Sequence, residues 1–304
     1  MPAKVILNPY SGRGKAGTSR PQLEAALALA GVEYDLSVTQ APLEAIDLAV
    51  RAFQDGFSPI IAAGGDGLIS EVVNGLFQAQ PEGQLGPVGV MPLGTANDLA
   101  VNLGLPLGLD DAARTIAAGA WRTIDLGLAG DWVFDNNSAI GLEPIVTLYN
   151  VKMVRLRGTI RYLVAALRAI MDKRQWQMRL AWDGGKYEGP LSLVTVGNNP
   201  ITGGLFRMAP AADPQDGLLT FVYAFAPTRR KMLALLPRTL NGTYVDDPAV
   251  HQVHSAWLRI ECEPASPIQV DGEIRSTEVV DITYRALPQR LRLLAPAGSS
   301  TRPH

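Results

Sequence analysis

The segment Gly64-Gly65-Asp66-Gly67 sets three glycines around one carboxylate. Glycine admits positive φ and lets a ligand approach the main chain. Ile60 to Ala63 before it forms a short apolar run, and Ile69, Val72, Val73, Leu76 and Phe77 after it recur at helical spacing. The segment therefore reads as strand, glycine turn, helix. Amide N–H groups at a helix start lack internal partners and favour an anion. A carboxylate beside a phosphate repels it unless a cation lies between them or the acid handles a proton. Asp66 accordingly works with Mg²⁺-nucleotide or acts as a base. The same residues also suit an ordinary strand-to-helix turn with a surface aspartate.

Two further loops carry the same kind of chemistry. Asn8-Pro9-Tyr10-Ser11-Gly12-Arg13-Gly14-Lys15 follows a strand over Lys4 to Leu7 and offers glycines, a hydroxyl and two cations, a set that can receive phosphate or form a plain basic turn. It has neither P-loop nor Rossmann spacing. Pro92-Leu93-Gly94-Thr95-Ala96-Asn97-Asp98 follows a strand over Pro87 to Met91 and leads into a helix. Helices are expected at Pro21 to Ala30, Leu43 to Phe53 and Asp110 to Ala118, with a strand from Glu33 to Val38 that ends at Thr39. Strands alternating with such helices imply βαβ units and a largely parallel sheet. Ligands of such sheets sit at the carboxyl ends of the strands, where the loops at Asn8, Thr39, Gly64 and Gly94 all fall.

After about Thr123 the pattern changes to period-2 runs separated by Asp183-Gly184-Gly185, Asp216-Gly217 and Asp271-Gly272 turns, which predicts an antiparallel sandwich. The expected division is a nucleotide-binding α/β domain over 1–123, completed by 290–304, and a β-sandwich over 124–289. A long helix is expected near Val151 to Met171 and a shorter one near Thr228 to Leu240. Arg157, Arg161 and Arg168 lie near one face of the first. Such a basic helix suits an anionic membrane surface, or is the solvated face of a packed helix.

The 304 residues carry 47% apolar and 18% charged side chains and a formal net charge of -2, which gives no electrostatic case for nucleic acid. Cys262 is the single cysteine, so no intrachain disulfide forms. No apolar run reaches the roughly 20 residues of a membrane span, and the N-terminal apolar stretch is too short for a signal peptide. A cytoplasmic protein with peripheral membrane contact is expected. His251 and His254 have no third ligand nearby in sequence to suggest a metal.

Asn8-Pro9-x-Ser11-Gly12, Gly64-Gly65-Asp66-Gly67 with Glu71-Val72-Val73-Asn74-Gly75, Pro92-Leu93-Gly94-Thr95-x-Asn97-Asp98, Asp213-Pro214-x-Asp216-Gly217-Leu218-Leu219 and Val270-Asp271-Gly272-Glu273 occur in that order. Together they resemble the diacylglycerol kinase catalytic-domain family, which includes soluble bacterial lipid kinases and the sphingosine and ceramide kinases. The resemblance implies an NAD-kinase-like nucleotide domain followed by a β-sandwich lipid-binding domain, with ATP and lipid meeting in the cleft. It implies ATP-dependent phosphorylation of a lipid hydroxyl at a membrane surface, diacylglycerol foremost, with a sphingoid base or other lipid as the alternative acceptor. By motif match the nucleotide meets Asn8, Pro9, Tyr10, Ser11, Gly12, Thr39, Gly65, Asp66, Gly67, Leu68, Ile69, Ser70, Glu71 and Thr95. Glu273 matches the family's proton acceptor, near Asp66; which of the two takes the proton stays open, the other holding Mg²⁺. A structural Mg²⁺ site is implied at Asp213, Asp216 and the Leu218 carbonyl, and oxygen donors of this kind suit that ion. A homodimer stays open.

Three positions depart from the pattern. Leu68 replaces a usual threonine, Glu143 a usual aspartate, and Thr220 an aspartate present in many members. They leave two other readings: a nucleotide kinase of the NAD kinase type, and a catalytically weak lipid-binding regulator.

Overall fold

The computed structural model describes residues 2–153, 158–172 and 174–297. Contacts divide the chain into two units, one made of residues up to 126 together with those from 288 onward, the other of residues 127–287. Their cores do not share residues.

The first unit alternates strands and helices: β1 (Ala3–Leu7), α1 (Lys15–Thr18), α2 (Arg20–Leu29), β2 (Tyr34–Val38), α3 (Glu44–Gln54), β3 (Ile60–Gly64), α4 (Asp66–Ala79), β4 (Leu85–Pro92), α5 (Asp98–Asn102) and α6 (Leu109–Ala118). Every residue of β3 is buried, as expected of a parallel strand covered on both faces. The sheet runs β4-β3-β1-β2, all parallel. Leu291 and Leu293, late in the chain, pair in parallel with β4, so the C-terminal strand returns to this unit. β1 lies between β2 and β3, and the connection from β2 to β3 passes back over it. This reversal is the topological switch point of a doubly wound sheet, where ligands bind outside the strands' carboxyl ends. The loops at Asn8 and Gly64 leave the two strands that flank it.

The chain leaves this unit through β5 (Trp121–Ala129). The second unit holds β6 (Trp132–Phe134), β7 (Asn137–Gly141), α7 (Leu142–Lys152), α8 (Gly158–Asp172), β8 (Trp176–Trp182), β9 (Gly185–Leu191) and β10 (Leu193–Gly197). It continues through the small hairpin β11 (Ile201–Thr202) and β12 (Phe206–Arg207), then β13 (Leu219–Ala224), α9 (Arg229–Leu235), β14 (Val250–Ser255), β15 (Trp257–Val270) and β16 (Glu273–Leu294), the last running back into the first unit. β14, β13, β10 and β7 pair antiparallel in that order. β15 pairs with β8 through Leu258 to Glu263 and with β7 through Ile268 to Val270. Register shifts between Glu261 and Gln269 bend it between those partners. That corner makes an antiparallel sandwich around Phe134, Ile140, Val194, Phe221, Leu258 and Tyr284.

The helix expected from Val151 to Met171 is two helices, and Arg157, expected on its basic face, lies outside the described residues. α7 starts earlier, after Gly141 at φ 92, and Pro144 in its first turn marks that start. β7, β9 and β14 were not legible as strands; β9 holds two glycines and a proline, and β14 two histidines.

Candidate functional site

The strand-end loops of the first unit are fastened to one another. Asn8 N donates to Ala63 O at 3.2 Å and Thr39 N to Leu7 O at 2.9 Å. Leu93 N donates to Gly64 O at 2.8 Å, and Gly65 N to Ser11 Oγ at 3.2 Å. A Cβ built on Gly94 would lie 2.6 Å from Gly65 Cα, so the turns after β3 and β4 touch main chain to main chain. A Cβ on Gly12, at φ +60, would lie 2.5 Å from Leu93 O. These glycines are demanded by contact between loops as well as by any ligand.

Asp66 opens α4, with Gly65 extended at its N-cap. Its Oδ1 accepts from Leu99 N at 3.2 Å, which places the carboxylate on the first turn of α5. Burial pushes its pKa up, while amides of Leu99, Asp66, Asp98 and Asn97 pull it back. The carboxylate is thereby fixed in direction at the switch point. Asn97, at φ 51, accepts from Gly94 N through Oδ1 at 2.9 Å and locks the same turn. Sequence reasoning placed Asn97 and buried Asp98 within a motif without giving them a role. Their signal is the left-handed asparagine before a helix that begins on an acid.

Among the nucleotide candidates, Tyr10 and Thr95 are exposed, whereas Thr39 is buried. Tyr10 N donates to Asn8 Oδ1 at 2.9 Å. The side chains of Leu68, Ile69 and Ser70 are buried, and the amides of Leu68 and Ile69 donate to Gly65 O at 3.0 and 3.2 Å, so these residues build the turn. Glu71 receives Leu43 N at 3.2 Å and Ala45 N at 3.3 Å, capping the start of α3.

The remaining candidates belong to the second unit. Glu273 begins β16, directly after the Asp271-Gly272 turn. Desolvation raises its pKa and Arg275 opposes this. The residue is exposed at the start of its strand, where a substrate can reach its carboxyl. The turn before it is held tightly. Asp271 Oδ1 accepts from Asn136 N at 3.0 Å and Asn137 N at 3.1 Å, and Oδ2 from Asp135 N at 3.3 Å. Gly272 N donates to Gln269 Oε1 at 2.7 Å, and Gln269 Nε2 donates to Glu143 Oε1 at 3.1 Å. Asn137 Nδ2 reaches the same oxygen at 2.9 Å. Enclosure pushes the Glu143 pKa up to about 6. This polar framework was invisible to sequence reasoning, since its partners lie on β7, α7 and β15.

In the metal candidate, Asp213 Oδ1 accepts from Gln215 N at 3.0 Å and Asp216 Oδ1 from Leu218 N at 2.8 Å. Asp216 N reaches Asp213 O at 3.4 Å, so the loop curls on itself. Two carboxylates and a carbonyl make an all-oxygen donor set, which fits a hard cation such as Mg²⁺. Thr220, one of the departures, pairs its Oγ1 with His254 Nδ1 at 2.9 Å instead of facing this loop with an acid. Among the described residues no group of three or more His, Cys, Asp or Glu side chains gathers as a metal site.

Residues 2–129 match the diacylglycerol kinase catalytic domain, and residues 138–295 match the YegS C-terminal NAD kinase beta sandwich-like domain. The chain belongs to this lipid kinase family. A YegS-like lipid kinase of Chromohalobacter salexigens is 32% identical over 278 residues, covering 90% of this chain and 88% of the relative. A diacylglycerol kinase of Mycobacterium tuberculosis is 31% identical over 300 residues, covering 96% and 94%. The fold agrees with that of a Bacillus anthracis protein crystallised as a diacylglycerol kinase candidate, with a TM-score of 0.81 at 23% identity and 98% of each chain covered. Membership of the family makes the chain a kinase with an α/β catalytic domain and a β-sandwich-like second domain. Among the described residues no helix is long and apolar enough to cross a membrane.

Proposed function

We propose that this protein transfers the γ-phosphoryl group of ATP to the hydroxyl of a lipid, with diacylglycerol as the acceptor and phosphatidic acid as the product. The observation that carries this reading is the placement of Asp66 at the switch point, aimed by the α5 amides between two interlocked glycine turns. Phosphoryl transfer asks little covalent chemistry of a protein; positioning, charge neutralisation and a base suffice. The first-turn amides of α4 and the loop from Asn8 to Gly12 receive phosphate oxygens. Asp66, held in direction by the α5 amides, orients the cation that accompanies the nucleotide. Glu273, exposed at the start of its strand, accepts the hydroxyl proton as the oxygen attacks phosphorus. The Asp213-to-Leu218 loop would hold a structural Mg²⁺ through its two carboxylates and the Leu218 carbonyl. When bound, Mg²⁺ supplies positive charge that offsets phosphate or carboxylate repulsion.

The test is ³²P transfer from ATP across mixed micelles of diacylglycerol, a sphingoid base, ceramide, phosphatidylglycerol and polyprenol, with NAD as a soluble acceptor. Diacylglycerol is expected to be labelled most rapidly. Asp66→Asn and Glu273→Gln are each expected to lose about 10²–10⁴ in rate with folding intact. Near-wild-type turnover by both variants would remove these assignments. Preferential labelling of NAD would replace the lipid reading with a nucleotide kinase.

A further inference from the structure

Glu273 stands at the exit of a two-residue hairpin. Asp271 at φ 47 and Gly272 at φ 81 turn the chain between Val270 and Glu273, which pair across it. Two successive positive φ values make the tight turn that Asp-Gly favours. Such a turn fixes the main chain at its base, while its tip can rock unless something holds it. Glu273 follows the tip directly, so rocking of the turn would move its carboxyl. Asp271 is anchored through the amides of Asp135, Asn136 and Asn137. Gly272 is exposed, and a Cβ built on it would meet nothing within 4 Å, so packing does not restrain it.

A hydrogen bond restrains it instead. Gln269 pairs with Ile274 and Val270 with Glu273, so Gln269 and Glu273 project to opposite faces of the hairpin. Gln269 is 1% exposed, and its side chain hooks forward to receive Gly272 N on Oε1 at 2.7 Å. With Oε1 engaged, Nε2 is left to donate, and it ends on Glu143 Oε1 at 3.1 Å. The same glutamate oxygen receives Asn137 Nδ2 at 2.9 Å, so both β7 and β15 grip the Glu143 carboxyl. Bonds to a carboxylate are stronger than bonds between neutral groups, which makes Glu143 a firm anchor. The Gln269 amide is therefore a strut with its fixed end on α7 and its working end on the exposed turn. Glu143, one of the three departures from the family pattern, gains a use as that fixed end.

We propose that Gln269 is a positioning residue for phosphoryl transfer: by bridging Glu143 to the Gly272 amide, it holds the turn that presents Glu273 to the acceptor hydroxyl. It acts through the turn and not on the reacting atoms. The inference rests on the reading of Glu273 as proton acceptor and adds the residue that aims it. Gln269→Leu, similar in size, removes both bonds. Its kcat for labelling diacylglycerol is expected to fall about 10–100-fold, the cost of a small misplacement, while KM for ATP stays within about two-fold. The deciding measurement repeats the substitution in a Glu273→Gln background. With the base gone, losing its support should cost less than about two-fold more, because the two residues act as one unit. A merely structural residue would cost as much there as in the wild type. Circular dichroism checks each fold, and Gln269→Met replaces a leucine variant that fails it. Hydrogen exchange of the wild type needs no variant: the exposed Gly272 amide should be protected at least about ten-fold over an open chain. An unprotected Gly272 amide, an unchanged kcat in the Gln269 variants, or additive losses in the double variant would each overturn the proposal. Failure of the base reading looks different. Glu273→Gln alone would then keep its rate, and this proposal would fall with it, while a protected Gly272 amide would show the strut itself intact.

Discussion

Glu143 illustrates how a single substitution within a motif changes the physics around it. Its carboxyl is shut off from solvent, and Oε1 is shared by Asn137 and Gln269. Desolvation lifts its pKa from an ordinary 4.5 to about 6. A pKa raised on folding stabilises the native state fully below the unfolded value and loses that contribution as pH rises through the folded one. At pH 8 the ionised group therefore opposes folding relative to pH 4. Replacing it with the neutral isostere in Glu143→Gln should raise unfolding free energy at pH 8 by up to about 2 kcal/mol, since each tenfold change in proton affinity is worth about 1.4 kcal/mol. The gain should vanish near pH 4.5, and urea unfolding at the two pH values checks it. An equal effect at both would show that packing, not charge, sets the difference. Asp66 could be singled out from its neighbours in sequence because its chemistry and its turn are contiguous. The Glu143 network could not, because Gln269 stands 126 residues away and meets it only through the pairing of β15 with β7.

At the scale of elements, the turns after β3 and β4 behave as one object. A Cβ on Gly94 would meet Gly65 Cα and Asn97 Oδ1, both at 2.6 Å, and neither neighbour is the loose end of a long side chain. Gly94→Ala should therefore destabilise the first unit by about 1–3 kcal/mol, the usual range for overpacking, and shift the α5 amides off Asp66. A lowered urea midpoint together with a rate loss larger than saturating ATP can restore would bear this out. Normal stability and turnover would mean that the two turns separate freely. The alternation of strands and helices in the first half was legible because buried parallel strands read as unbroken apolar runs, as Ile60 to Ala63 does. The facing of α8 was not legible. Periodicity divides a helix into faces, but by size alone the leucine face would be expected inside, and the structure buries the alanines instead. The bend in β15 was equally hidden, since its register shifts follow from having two different partners.

At the scale of the whole chain, two cores without shared residues mean that a ligand held by one unit should stabilise that unit first. The nucleotide reading assigns ATP to the first unit, on loops 8–12, 64–71 and 92–98. A ligand that binds only the native state adds about 2.7 kcal/mol at a concentration of 100 times its Kd. Hydrogen exchange with and without Mg²⁺-ATP should therefore slow in those loops and in β1, β3 and β4, which carry them. The sandwich strands β10 and β13 should exchange at unchanged rates, because they pair only within the second unit. Protection by ATP that appeared first in β10 and β13 would move the nucleotide out of the α/β unit and leave the Asp66 turn without the role assigned to it.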